Sequence, residues 1–155
     1  MKNRKSEAET NSQEFVVFRL GVQEFCIDIM SVREIRGWTP STPLPHSPQF
    51  VRGVINLRGT VLPVIDLADR LGLATVEQTA SQVIVVVQIG NRVVGLLVDA
   101  VSDILMIDAE KIQPTPGVST EATRSFVVGI IGIEERMISL LSLDNVLPMG
   151  EVEAA

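Results

Sequence analysis

The sequence predicts an all-β fold with short helices, arranged as two small barrels related by a pseudo-twofold axis around a shared hydrophobic core. Three observations carry this expectation. The hydrophobic share is 46%, mostly Val, Ile and Leu, against only 4% aromatic residues, and β-branched side chains suit a pleated, half-buried surface. Short apolar runs are separated by tight turns rich in Gly and Asn. The order of those runs then occurs a second time along the same chain.

Taken in order, residues 1–14 are charged and polar without hydrophobic period, so they read as a disordered lead-in. Phe15 to Leu20 is a strand, Gly21 to Gln23 a turn, and Glu24 to Ile29 alternates with Phe25, Ile27 and Ile29 on one face. Val32 and Ile35 lie three apart among charges, which fits one helical turn or a short irregular strand. Residues 39–48 hold four prolines and form a loop. Phe50 to Asn56 opens a second hairpin, turning at Asn56-Leu57-Arg58-Gly59-Thr60, where Gly59 is free to take positive φ. Pro63 has no N–H, so the return strand is at an edge or bulged. Asp66 caps a short helix, Leu67 to Leu71, that Gly72 stops. After a polar linker at 74–82 come hairpins at 83–98 and 126–141, with a long loop at 108–125 between them, and a helix at 142–147.

A shift of 69 positions carries Gly21 onto Gly90, Phe25 onto Val94, Val32 onto Val101 and Ile35 onto Ile104. A shift of 76 carries Phe50 onto Phe126, Gly53 onto Gly129 and Leu71 onto Leu147. This is the pattern of an internal duplication. One copy is too small to bury much core alone, and two copies packed together solve that problem. The expected division is a folded domain at 15–150, with a first barrel unit at about 15–73 and a second at about 83–148. Two such barrels can keep their own strands or exchange them, and both arrangements fit the repeat.

Composition then limits function. Net charge is −6 with no basic stripe, which disfavours a nucleic-acid partner, since displacing counterions from phosphates needs clustered Lys and Arg. The N-terminus lacks an apolar signal core, and no apolar run is long enough to span a bilayer, so a cytoplasmic protein without membrane insertion is expected. The lone cysteine, Cys26, sits in a strand and reads as core. The lone histidine, His46, sits in the proline-rich loop without partners for a metal or a catalytic pair. No nucleophile elbow or phosphate-binding glycine loop is present. The expectation is a non-enzymatic binding module without a cofactor, monomeric when isolated.

The candidate surface comes from the repeat. Val32 and Val101 are equivalent and fit two walls of one groove, or the core itself. Arg58 projects from a tight turn beside apolar residues, where a guanidinium can grip a carboxylate on a partner helix.

Three stretches carry a family resemblance: V-R-E-I-R-G at 32–37, G-V-I-N-L-R-G at 53–59 followed by V-x-P-V-I-D-L, and V-G-L-L-V-D-x-V at 94–101. Together, in this order, they closely resemble the CheW family of chemotaxis coupling proteins. The resemblance implies two five-stranded SH3-like barrels. It implies an adaptor between the helical-hairpin tips of chemoreceptors and the regulatory domain of the CheA histidine kinase, placed at the receptor array. A scaffold in a non-flagellar pathway, or the coupling half of a receiver-containing scaffold, is the alternative. By matched position, Val32, Glu34, Ile35, Arg58, Val98 and Val101 look like the receptor-facing groove. Gln113 and Val118, in a loop that matches the family poorly, are the candidates for kinase contact.

Overall fold

The computed structural model describes residues 12–73, 81–115 and 126–147. Strands β1 (Ser12–Leu20), β2 (Gln23–Asp28), β3 (Val32–Gly37), β4 (Val51–Leu57) and β5 (Thr60–Asp66) come from the first repeat. Strands β6 (Val83–Ile89), β7 (Arg92–Val98), β8 (Ala100–Asp108), β9 (Ile112–Gln113), β10 (Val127–Ile133) and β11 (Arg136–Leu141) come from the second. Single-turn helices at Leu67–Arg70 and Leu143–Val146 close the repeats, capped by the side chains of Asp66 and Ser142.

The strands form two sheets, in the orders β8-β1-β2-β11-β10-β9 and β3-β6-β7-β5-β4. Each sheet therefore takes its first hairpin from one repeat and its other main strands from the other. The units expected at 15–73 and 83–148 are thus units of sequence, while the barrels are built by exchange. One barrel is the stretch 32–98; the other is made from β1 and β2 together with β8 to β11. The chain crosses from the first sheet to the second at Ile29–Ser31, a tight turn whose Met30 N–H donates to Asp28 Oδ1 at 2.9 Å, and returns at Asp99 between β7 and β8.

The registers show the duplication residue by residue. Cys26 lies opposite Leu140 in a parallel pair, and its equivalent Gly95 lies opposite Val64 in another. Bulges fall between Val51 and Gly53 and again between Val127 and Gly129. The two turn residues Arg58 (φ 51) and Glu134 (φ 55) are both left-handed. Equivalent rings of Phe50 and Phe126 flank one guanidinium, with Arg70 Cζ 4.7 and 5.1 Å from their centroids.

Burial follows a three-layer plan. Val16, Phe18, Phe25 and Ile27 of one sheet meet Val85, Val87, Leu96 and Val98 of the other in a shared core. The opposite faces point into the barrels: Phe15, Val17, Cys26 and Ile138 into one, Leu62, Val64, Ile84 and Val86 into the other. Strands covered on both faces need uninterrupted apolar runs, which is why Val83–Val87 and Phe15–Phe18 do not alternate. Cys26 is fully buried, and burial pushes its thiol up to about 12, as expected for a core residue.

Several boundaries differ from expectation. Ser12, Gln13 and Glu14 belong to β1, pairing with Asp108, Ile107 and Met106 of β8, because an edge strand supplies partners that polarity could not reveal. Residues 1–11 of the expected lead-in and 74–80 of the linker lie outside the described residues. The stretch at 32–37 is a strand, and its i,i+3 spacing comes from a bulge between Val32 and Glu34. The proline-rich loop touches β4 through Thr42, which exchanges two 2.9 Å hydrogen bonds with Val54. This loop passes so close that a Cβ on Gly53, at φ +147, would stand 2.3 Å from the Thr42 carbonyl oxygen. Gly53→Ala is therefore expected to cost about 1–3 kcal/mol, read as a lower urea midpoint; an unchanged midpoint would show that the loop yields freely.

Candidate functional site

The edge strand β3 presents two faces, and its bulge creates them. Val32 and Ile35 stand opposite Val87 and Val85, which belong to the shared core. Glu34 stands opposite Val86, which points into the barrel. Val32 is half-buried against the shared core, while Ile35 is 41% exposed. On the other sheet the edge strand β8 repeats this arrangement: Val101 and Ile104 stand opposite Phe18 and Val16 of the shared core. Val101 is half-buried there, and Ile104 is 55% exposed. The result is an apolar rim along the shared core, contributed by both edge strands.

Val98 is not part of that rim. It is completely buried in the shared core, so it supports the surface from beneath and touches no partner. In a continuous apolar run such as Val93–Val98, sequence does not separate a covered residue from one at a surface.

Glu34 and Arg58 do meet. Arg58 Nη2 donates to Glu34 Oε1, and Arg36 Nη1 donates to Glu34 Oε2 at 3.4 Å. The turn holding Arg58 is fixed by Asn56, whose Oδ1 accepts from the Gly59 N–H at 2.8 Å. This pair sits at the mouth of the β3–β7 barrel, away from the apolar rim. The mouth is a hollow of about 340 Å³ lined by Arg33, Leu57, Thr60, Leu62, Val86 and Val93 as well as the ion pair. The expected single groove is therefore two neighbouring surfaces joined by β3.

The hydrogen bond from Arg58 is the largest cause holding the Glu34 carboxyl below its ordinary range; desolvation opposes it, and the charges of Arg58 and Arg36 reinforce it. A depressed folded-state pKa stabilises above the ordinary carboxylate range and is lost as pH falls through the lowered value. An NMR titration of the Glu34 carboxyl is expected to give a lower midpoint in the wild type than in Arg58→Ala. Equal midpoints would mean that the pair does not form in solution.

Gln113 is exposed in β9, at the far edge of the six-stranded sheet, paired with Ile130. It lies apart from both surfaces. Val118 lies outside the described residues. Sequence reasoning missed Thr60 and Val93, which line the hollow at the barrel mouth, and Ile104, which is exposed on β8 at the position equivalent to Ile35. The 69-residue shift already paired Ile104 with Ile35, so that signal was present. Among the described residues no group of acidic, histidine and cysteine side chains could hold a metal ion. No described helix is long and apolar enough to cross a membrane.

The family model for the CheW-like domain matches residues 14–151. The chain belongs to the CheW-like family. Among curated relatives, this CheW-like chain is 54% identical to the chemotaxis protein CheW of Rhizobium meliloti (strain 1021) over 155 residues, covering 100% of both. It is 38% identical to the chemotaxis protein CheW of Klebsiella aerogenes, covering 96% of this chain and 89% of the relative. Among solved structures it matches the scaffolding protein TtCheW from Thermoanaerobacter tengcongensis with a TM-score of 0.81 and 34% identity, over 90% of this chain and 94% of that one. The two-barrel, mostly β fold expected from the sequence is therefore the fold of the family.

Proposed function

We propose that this CheW-like chain is a non-catalytic chemotaxis adaptor that couples chemoreceptor tips to the CheA histidine kinase in the cytoplasm. The single observation that carries the reading is the family match across the folded chain, with a relative identical at 54% of positions over its full length. The rim supports it. A receptor tip is a helical hairpin, and Val32, Ile35, Val101 and Ile104 offer a helix a stripe of apolar contacts beside an edge strand. Arg58 and Glu34 set register more than affinity, since exposed ion pairs contribute little. Individual contacts need not be strong where an array supplies many of them.

Gln113 remains the proposed kinase-side residue, on the opposite sheet edge from the rim strand β8. That separation lets one chain hold two partners at once. Calorimetric titration of the purified chain against a receptor signalling fragment, and separately against CheA, tests the proposal. Saturable binding to both is expected. Binding to neither would remove the adaptor reading.

A further inference from the structure

The two barrels are joined by an apolar shared core and by two chain crossings, at Ile29–Ser31 and at Asp99. Apolar packing is non-directional, so the core alone does not fix the angle between the barrels. A cluster of directional contacts stands at the end of the helix Leu143–Val146, which belongs to the barrel built from β1, β2 and β8–β11. Arg70 and Arg92, both from the barrel at 32–98, donate to consecutive backbone carbonyls there. Arg70 Nε reaches the Val146 carbonyl at 2.6 Å, and Arg92 Nη2 reaches the Leu147 carbonyl at 2.5 Å. Arg70 is also held between the rings of Phe50, from its own barrel, and Phe126, from the other.

The repeat locates this clamp. The 76-residue shift carries Phe50 onto Phe126 and Arg70 onto Val146. A residue hydrogen-bonded to its own counterpart, between two counterpart rings, lies at the pseudo-twofold axis. The repeat also explains why the clamp runs in one direction. The helix Leu67–Arg70 closes on its own backbone: the Gly72 N–H, at φ +78, donates to the Asp69 carbonyl at 3.1 Å, and the Leu73 N–H to the Ala68 carbonyl at 2.9 Å. The counterpart of Gly72 is Pro148, which has no N–H to donate. The second helix ends instead on carbonyls held from the opposite barrel, where cations suit the negative end of a helix. Val146 and Gln23, the counterparts of the two arginines, carry no guanidinium to return the grip.

Arg92 opens β7, and Asp99 follows its last residue. Asp99 is tied in turn to the β1–β2 hairpin: its N–H donates to the Arg19 carbonyl at 3.0 Å, and its Oδ2 accepts from the Gly21 N–H at 2.6 Å. Strand β7 is therefore pinned to the other barrel at both ends.

We infer that Arg70 and Arg92 are positioning residues for coupling: they lock the angle between the barrels, so that a partner held on one barrel is felt by a partner held on the other. The inference rests on the adaptor reading and adds to it the element that carries the signal. The proposed receptor surface takes β3 from one barrel and β8 from the other, and Gln113 lies on the second barrel. The angle therefore sets how these surfaces stand relative to one another. Neither arginine belongs to β3, β8 or β9, so removing them leaves the contact residues themselves in place.

The double variant Arg70→Met/Arg92→Met keeps the aliphatic stems and removes the donors. Spin labels at Val61→Cys and Met137→Cys, exposed counterpart positions with one on each barrel, report the angle in the chain alone, and the fully buried Cys26 stays unlabelled. By double electron–electron resonance the wild-type clamp is expected to give one narrow distance distribution and the double variant a broadened one, with the circular dichroism spectrum unchanged. At saturating receptor signalling fragment and CheA, the unlabelled double variant is expected to pass on the receptor-dependent change in kinase activity roughly fivefold less. Arg70→Lys in place of Arg70→Met, which returns a cation and a donor to the space between the rings, is expected to restore most of that response. If the double variant does not fold, Arg92→Met alone carries the same two measurements. A narrow distribution in a folded clamp variant, or a broad one with full kinase response, overturns the inference and leaves the adaptor reading standing. If the wild-type chain binds neither partner, the adaptor reading falls and the inference falls with it.

Discussion

Phe18→Ala is expected to lower the unfolding free energy by about 3–5 kcal/mol, the range for deleting a fully buried aromatic ring. Phe18 has no exposed surface, and its ring lies 6.3 Å from that of Phe25 at an interplanar angle of 21°. It also stands opposite Val101, the half-buried residue of the apolar rim. The cavity would open in the layer that joins the two sheets, where neither barrel can relax without moving the other. Hairpin exchange makes this worse, because β1 carries Phe18 into the shared core and Val17 into a barrel core. Small domains hold only about 5–15 kcal/mol in total, so the variant is expected to melt roughly 10 °C lower or more. A loss under about 1 kcal/mol in urea unfolding would show that the two barrels are joined more loosely than the packing implies.

Val32→Asp is expected to weaken receptor binding by roughly a hundredfold, about 3 kcal/mol. The estimate combines loss of an apolar contact, about 1.5–3 kcal/mol for a Val-sized side chain, with a carboxylate left without a partner at the interface. Val32 also packs against the shared core, so a stability loss accompanies the binding loss. Ile35→Asp separates the two effects, because Ile35 is 41% exposed on the same side of β3. It is expected to weaken binding with little change in melting. Val32→Asp with normal affinity, measured at a temperature where it is fully folded, would move the receptor surface elsewhere.

Much of this molecule was legible in sequence. The hairpins, both capped single-turn helices and the repeat follow from period-2 patterning, turn glycines and capping side chains, all of which are local signals. The exchange of hairpins was not legible, because pairing Cys26 with Leu140 joins residues far apart in sequence, and each strand's pattern is the same whichever neighbour it takes. Val32, Ile35 and Val101 were placed at a surface by resemblance and by the repeat; Val32 and Val101 both pack half-buried against the shared core, and Ile35 is 41% exposed on β3. Val98 came with them in the same motif, but β7 is a central strand covered on both faces, which puts it inside. Glu34 and Arg58 were grouped with the rim by resemblance, through the motifs at 32–37 and 53–59. A single bulged residue turns Glu34 to the other face, and bulges leave little trace in composition.

Coupling itself is tested most directly by kinase output. CheA autophosphorylation is measured with a membrane-free receptor signalling fragment, with and without this chain, and with Arg58→Ala and Ile35→Asp in its place. The receptor fragment is expected to change kinase activity only when the wild-type chain is present, with both variants impaired. Receptor-dependent kinase activity that is the same with and without the chain would contradict the account.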